Sequence, residues 1–341
     1  MSDKLNFTYY IGAGASCGVL PMVKQFPEKL DNFRVKLIDI GNDNSKEFTS
    51  EENHYLDKFI ENIQWLKQSA ENHASIDTFA KKLYIKNELN NVLKLKATLS
   101  CYFLILQGMN NVDQRYDTFF ASITNRDKDD NPTLPDNIKI ILWNYDIQFE
   151  KAFNIYLDNI KYLSTRLQAP PITGERFEFD YKKFGIIRLN GIAGVHQKND
   201  GKYGRYFKEY IFNKCEEVTL LKEILLIYKQ YIEQSDNFSP MLNFAWEKSS
   251  FQNEYLSYAR TIAVKTNVLI IIGYSFPFFN RDIDKSILNN IGDLKKVYLQ
   301  VPQEDQQAYK ERLLAIRTGL KESDIISITD KEQFYIPNEF D

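Results

Sequence analysis

The sequence predicts an α/β protein: a Rossmann-like, doubly wound, mostly parallel sheet with an inserted helical subdomain. Three observations carry that reading. The apolar run Phe7–Ile11 passes directly into Gly12-Ala13-Gly14-Ala15-Ser16, a strand feeding a tight glycine turn. Two further runs, one starting at Ile138 and one over Val268–Ile272, also stop at residues that suit turns and ligand contacts. Between them lie segments with apolar residues at helical spacing, and strands that alternate with helices build parallel sheets.

Length and composition set the outer bounds. With 341 residues, 43% of them hydrophobic, the chain suffices for a large core, read as one domain over residues 1–341. Forty-three basic against 46 acidic residues leave a formal charge of -3, without the basic excess of a dedicated nucleic-acid binder. MSDKLNFTYY has neither a basic segment nor a long apolar one, so it reads as no secretion signal. The most apolar stretch, Val268–Ile272, is too short to span a bilayer. Cysteines at 17, 101 and 215, with no C-x-x-C, suit a reducing cytoplasm and exclude a four-cysteine zinc ribbon.

In chain order, the glycine turn comes first. Gly12 and Gly14 allow close backbone approach, and Ala13 and Ala15 leave room for a flat or charged ligand. A helix following soon after would turn its N–H groups towards a pyrophosphate. Val19–Leu30 reads as a short helix interrupted by Pro21 and Pro27, and Arg34–Ile40 as a short strand. Asp39 then stands where an acidic residue can hold a ribose.

From Asn44 to about Val112 the pattern is helical, which marks the insertion. Leu56, Phe59, Ile60, Ile63 and Leu66 share one face, and Ser75 caps a helix with Asp77 in its first turn. His54 and His73 lack a second ligand at metal-binding spacing.

The polar loop 125–137 returns the chain to the sheet. Ile138–Phe153 is a strand running into a helix, with Asn144 and Asp146 at the strand's end. Ligands of open α/β sheets sit outside such ends. Residues 157–184, with Pro170-Pro171 and Gly174, read as an elaborated connection. Gly185–Leu189 is a third strand, and His196 follows it in a glycine-rich loop. Helices are expected over Cys215–Ile232 and Phe251–Lys265, with Ser239–Ser250 and Trp246 between them as a lid. Val268–Ile272 ends in Gly273-Tyr274-Ser275, and a helix starts near Arg281. Lys296–Val301 is a strand, Gln303–Gly319 a helix and Ile325–Ile328 a last strand.

GAGAS after one strand, Asn-Tyr-Asp after a second, G-x-x-x-x-H after a third and Gly-Tyr-Ser-Phe after a fourth form an ordered set. It resembles the NAD-binding core of the sirtuin family, and more closely the sirtuin-like domains that bacteria use as NAD-consuming effectors against phage. Ser75–Tyr84 belongs to the same likeness, which covers about Phe7 to Val301. The resemblance implies that Gly12, Ala13, Gly14, Ala15 and Ser16 wrap the NAD phosphates and that Gly273 and Ser275 flank the adenosine ribose. It implies catalytic roles for Asn144 and Asp146 near the nicotinamide ribose, and for His196 as general base.

The implied activity is hydrolysis of NAD to nicotinamide and ADP-ribose, with NAD as substrate and no metal. The alternative on the same chemistry is a protein deacylase or ADP-ribosyltransferase; the missing zinc ribbon of eukaryotic-type sirtuins, which shapes the acyl-peptide groove in the family, argues against the deacylase. A nucleotide-sensing module is the non-catalytic alternative. The implied partners are further copies of the chain or a separate defence protein (an ATPase, an Argonaute-like or a phage-sensing subunit), with no nucleic acid and no membrane.

Overall fold

The structure, a computed structural model, describes residues 4–157, 162–169, 178–198, 203–205, 209–213, 215–235, 237–247 and 249–340. Its centre is β1 (Phe7–Ile11), buried along its whole length and paired in parallel on both sides. A strand covered on both faces reads as an unbroken apolar run, and FTYYI is one. Numbering the strands in chain order, β2 (Asn125–Arg126) and β3 (Pro132–Thr133) form a small hairpin in the polar loop. Beside β1 lies β4 (Ile138–Leu142), and beyond that β5 (Gly185–Arg188). On the other side come β9 (Val268–Ile272), β10 (Lys296–Gln300) and β11 (Ile325–Ile328).

The six-stranded sheet therefore runs β11-β10-β9-β1-β4-β5, all parallel. Counted in chain order within this sheet, that is 3-2-1-4-5-6, the Rossmann sequence. Its direction reverses between β1 and β9, the place where such sheets open a ligand crevice.

Helices cover both faces. The first is α1 (Phe26–Asp43), and here the sequence reading is corrected twice. Pro27 opens the helix rather than interrupting one, a position where its missing N–H costs nothing. Arg34–Ile40 is helix, not strand. Phe26, Leu30, Phe33, Leu37 and Ile40 repeat at helical spacing over a longer window than the short apolar-rich run from Arg34. Asp39 consequently faces outward from a helix and is exposed.

The insertion then proceeds through α2 (Ser50–Glu71), α3 (Ile76–Ile85) and α4 (Leu89–Met109). Thr49 and Glu52 close a capping box on α2, and Ser75 accepts the Thr78 N–H to start α3, as its sequence implied. By length and composition α4 suffices to cross a membrane, but 67% of its apolar window is buried inside the fold. Because α1 packs along α2, the helical layer begins at Phe26 rather than Asn44. Next, α5 (Gln114–Ile123) crosses to the opposite face and packs on α6 (Gln148–Asn154), with the short α7 (Leu163–Arg166) beyond.

A second sheet was not foreseen. β6 (Gly191–Lys198) pairs antiparallel with β7 (Tyr203–Arg205) and with β8 (Phe238–Leu242). The short α8 (Glu209–Phe212) and long α9 (Glu217–Glu233) complete this part, and α4 packs against α9, β6 and β8. The expected helix over Phe251–Lys265 is α10 (Ser250–Lys265), followed by α11 (Arg281–Leu288) and α12 (Gln306–Ile316). Pro170, Pro171 and Gly174 lie outside the described residues.

Candidate functional site

The carboxyl ends of β1, β4 and β9 bring three sequence motifs together. After Ile11 the chain makes a single 3-10 turn, Ala13–Ser16, and no α-helix starts until Phe26. The helix expected soon after the glycine turn is therefore absent at this point. The turn instead docks on its neighbour: Gly12 N–H donates to Ile272 O at 3.0 Å, and Gly14 N–H to Gly273 O at 2.9 Å. Gly273 has φ +57, and a Cβ built there would lie 2.4 Å from the Ala15 nitrogen. A Cβ on Gly14 would meet the Gly273 backbone at 2.9 Å. These two glycines are thus required by the packing of one turn into the other. Ser275 is partly exposed beside them, its carbonyl accepting from Arg312 Nη1 at 2.7 Å.

Ser16 is buried and is the hub of the polar groups here. Its Oγ–H donates to Asp146 Oδ2 at 2.6 Å, and its lone pairs accept from Tyr116 Oη at 2.6 Å and Asn144 Nδ2 at 3.1 Å. One donated and two accepted bonds saturate a hydroxyl. That saturation fixes the Asn144 amide, because Ser16 has no proton left for an amide oxygen. Asn144 Oδ1 is left buried and without a hydrogen-bond partner among the described residues.

Asp146 also accepts the Gln148 N–H at 3.1 Å, an Asx turn that starts α6. Burial pushes its carboxyl up from the ordinary range. Ser16, the Gln148 N–H and the nearby Arg188 pull the other way.

Arg188 and Glu150 lie next to this hub and were not singled out from sequence. Arg188, on β5, is 0% exposed and donates through Nη2 to Glu150 Oε2 at 2.7 Å. Its Nε and Nη1 have no partner among the described residues, nor has Gln148 Nε2 or Asn190 Oδ1. Buried polar atoms are nearly always paired, so this group at the ends of β4 and β5 marks a place built to receive polar atoms. The signal in the sequence was the lone charge in the apolar run Gly185–Leu189; Tyr116 had none.

His196 belongs to the second sheet. It is not in a loop after the third strand but on β6, paired across to Gly204 and Pro240. Gly191 (φ +80) makes the turn after β5, and Gly194 (φ +78) sits where the β6–β8 register shifts. Glycines that read as loop are thus a turn and a strand irregularity. The His196 ring lies 5.0 Å from the Phe238 ring and fills the space a Gly204 side chain would need.

Two residues past the end of β5, at the sheet edge, is Asn190, whose Nδ2 donates to Trp143 O at 3.1 Å. Burial lowers the His196 pKa to about 4, with Lys198 adding a smaller push. Of the three histidines, one imidazole is therefore expected to stay neutral down to about pH 4 in an NMR titration. A His196 titration near the ordinary 6.5 would contradict this burial.

Trp246 is packed rather than poised to move. Its ring stacks on Phe244 at 5.4 Å and 4°, with Tyr84 of α3 at 5.2 Å, and the expected lid is strand β8 followed by this turn.

No protein-family model matches the chain, and no curated protein sequence matches it.

Proposed function

We propose that this protein binds NAD in the crevice outside β1 and β9 and hydrolyses its nicotinamide–ribose bond. One observation carries the reading. In a Rossmann strand order, the turns Gly12–Ser16, Asn144–Asp146 and Gly273–Ser275 meet at the switch point around a buried serine. Cleavage of that bond develops positive charge on the ribose. Asp146, held by Ser16 and a backbone N–H, is a fixed negative group able to favour it in a site of low polarity. Asn144 Oδ1 is an unused acceptor for a ribose hydroxyl or the attacking water. In this proposal the phosphates lie along the glycine turn and the adenosine ribose by Gly273 and Ser275.

A second reading is favoured by one feature. Two residues past β5 stands an amide, Asn190, and an imidazole with a pKa of about 4 is a weak base. Binding without turnover, as a nucleotide sensor, needs no base. Incubation with NAD, with chromatography for nicotinamide and ADP-ribose beside calorimetry for binding, separates the two. Release supports hydrolysis, binding without release supports the sensor, and no binding removes both.

The cellular role proposed with hydrolysis is NAD depletion in anti-phage defence, gated by self-assembly or a partner protein. A cytoplasmic NAD hydrolase left ungated would drain its own cell. The expected result is slow turnover by the dilute chain, rising at least tenfold on assembly. Full turnover at about 10 s⁻¹, the median for enzymes, by a dilute monomer would rule the gate out.

A further inference from the structure

The Gly273–Phe276 turn carries two left-handed residues, Gly273 at φ +57 and Phe276 at φ +52. A bulky side chain in that region is a conformational outlier that persists only where its surroundings over-determine it. The surroundings here are specific. Between the two, Tyr274 turns inward and is 3% exposed, with its ring stacked on Trp143 at 5.7 Å and 4°. Its hydroxyl donates to the carboxylate of Asp284, 3.0 and 2.9 Å from the two oxygens, and accepts from Asn280 Nδ2 at 2.9 Å. Tyr10, the penultimate residue of β1, donates to the same carboxylate at 2.5 Å. Asp284 is 0% exposed, and among the described residues no cation pairs with it. A carboxylate buried against two phenols carries a desolvation cost that a leucine would avoid.

We propose that Asp284 is a positioning residue: through Tyr10 and Tyr274 it clamps the strained Gly273–Phe276 turn onto the Gly12–Ser16 turn and so sets the affinity of the crevice for its dinucleotide. The clamp acts where it matters. A Cβ on Gly12 would lie 2.6 Å from the Tyr274 ring, so a shift of Tyr274 is felt directly by the glycine turn. Outside the turn, the Arg312 contact to Ser275 O is the second anchor. The part of the proposal that concerns affinity rests on NAD being the ligand; the clamp itself does not.

The chemistry supplies a readout that simple destabilisation would not move. Burial pushes the Asp284 carboxyl up to about 7, and the phenols of Tyr10 and Tyr274 pull it partly back. The groups facing it are Tyr10 from β1, Tyr274 from the turn and the uncharged Asn280 ahead of α11. As a carboxylate it accepts both phenols. Once protonated it must donate, and one phenol loses its acceptor. NAD affinity is therefore expected to fall about fivefold, the worth of one hydrogen bond, as pH drops through about 7. Asp77 and the buried Lys139 and Lys151 titrate in nearby ranges, at about 6, 8 and 8, so the variant is the control.

The experiment measures NAD binding from pH 5.5 to 8.5, and amide hydrogen exchange, for the full chain and for Asp284→Asn. Expected are weaker, pH-independent binding near pH 7 and at least tenfold faster exchange at Gly14 and Gly273, with the interior of β10 unchanged. If Asp284→Asn does not fold, Tyr274→Phe keeps the ring on Trp143 and removes only the hydroxyl. Unchanged exchange at Gly14 and Gly273 overturns the clamp whether or not NAD binds. A pH dependence that survives in Asp284→Asn overturns its link to affinity. Faster exchange in the variant, with no NAD bound by the unaltered chain, upholds the clamp and rejects the dinucleotide.

Discussion

Glu150→Ala will destabilise the fold by about 3–5 kcal/mol, the cost of leaving a buried charge without its partner. Arg188 is wholly buried, and Glu150 Oε2 is its one hydrogen-bond acceptor among the described residues. Without the carboxylate the buried guanidinium has no hydrogen-bond acceptor among the described residues, and Asp146 nearby offsets only part of its charge. Urea unfolding measures the loss, read from the midpoint at an unchanged slope. The double change Glu150→Leu with Arg188→Met should recover most of it, because a buried pair replaced by apolar residues of similar volume is often neutral or better. A loss below about 1 kcal/mol for Glu150→Ala alone, in the range of a surface ion pair, would show that water reaches Arg188. The pair's position gives the double variant a second use. If stability returns while NAD turnover does not, the pair is retained for its field at Asp146 rather than for the fold.

The elements legible in the sequence were those whose local pattern and final surroundings agree. β1, β4 and β9 are covered on both faces, so their apolar runs are unbroken and each stops at the edge where its motif begins. Ser75 and the α3 start were legible because a cap is a local event. α1 was misread because the short apolar-rich run Arg34–Ile40, taken alone, suits a strand, and only the window back to Phe26 reveals the helical period.

His196 was placed in a loop because Gly191 and Gly194 look like loop glycines. Their positive φ values serve a turn and an irregular strand pairing, and pairing with β8, more than forty residues away in sequence, leaves no local trace. The polar hub was half legible. Ser16, Asn144 and Asp146 stand at strand ends, whereas Tyr116 and Glu150 reach the site from helix faces with no pattern of their own.

Asn144→Ala separates the functional from the structural meaning of that hub, because the two carry opposite signs. For the fold, Asn144 contributes one bond to Ser16 and leaves Oδ1 buried and unpartnered. An unsatisfied buried acceptor costs about 1–3 kcal/mol, while a hydrogen bond returns about 1. Ser16 keeps Tyr116 as donor and Asp146 as acceptor after the change, so its hydroxyl stays anchored. The expected stability is therefore within about 1 kcal/mol of the unaltered protein, and a gain is the more instructive outcome. For the proposed reaction, the same change removes the unpartnered acceptor that the proposal assigns to a ribose hydroxyl or water. Loss of a fixed polar group that acts on the transition state costs about 10²–10³-fold in turnover. The measurement pairs thermal unfolding with nicotinamide release at saturating NAD. Retained turnover with unchanged stability would strip Asn144 of a catalytic role and leave it a linker of β4 to the glycine turn. Lost turnover with retained NAD binding and equal or higher stability is the combination that only an active-site residue produces.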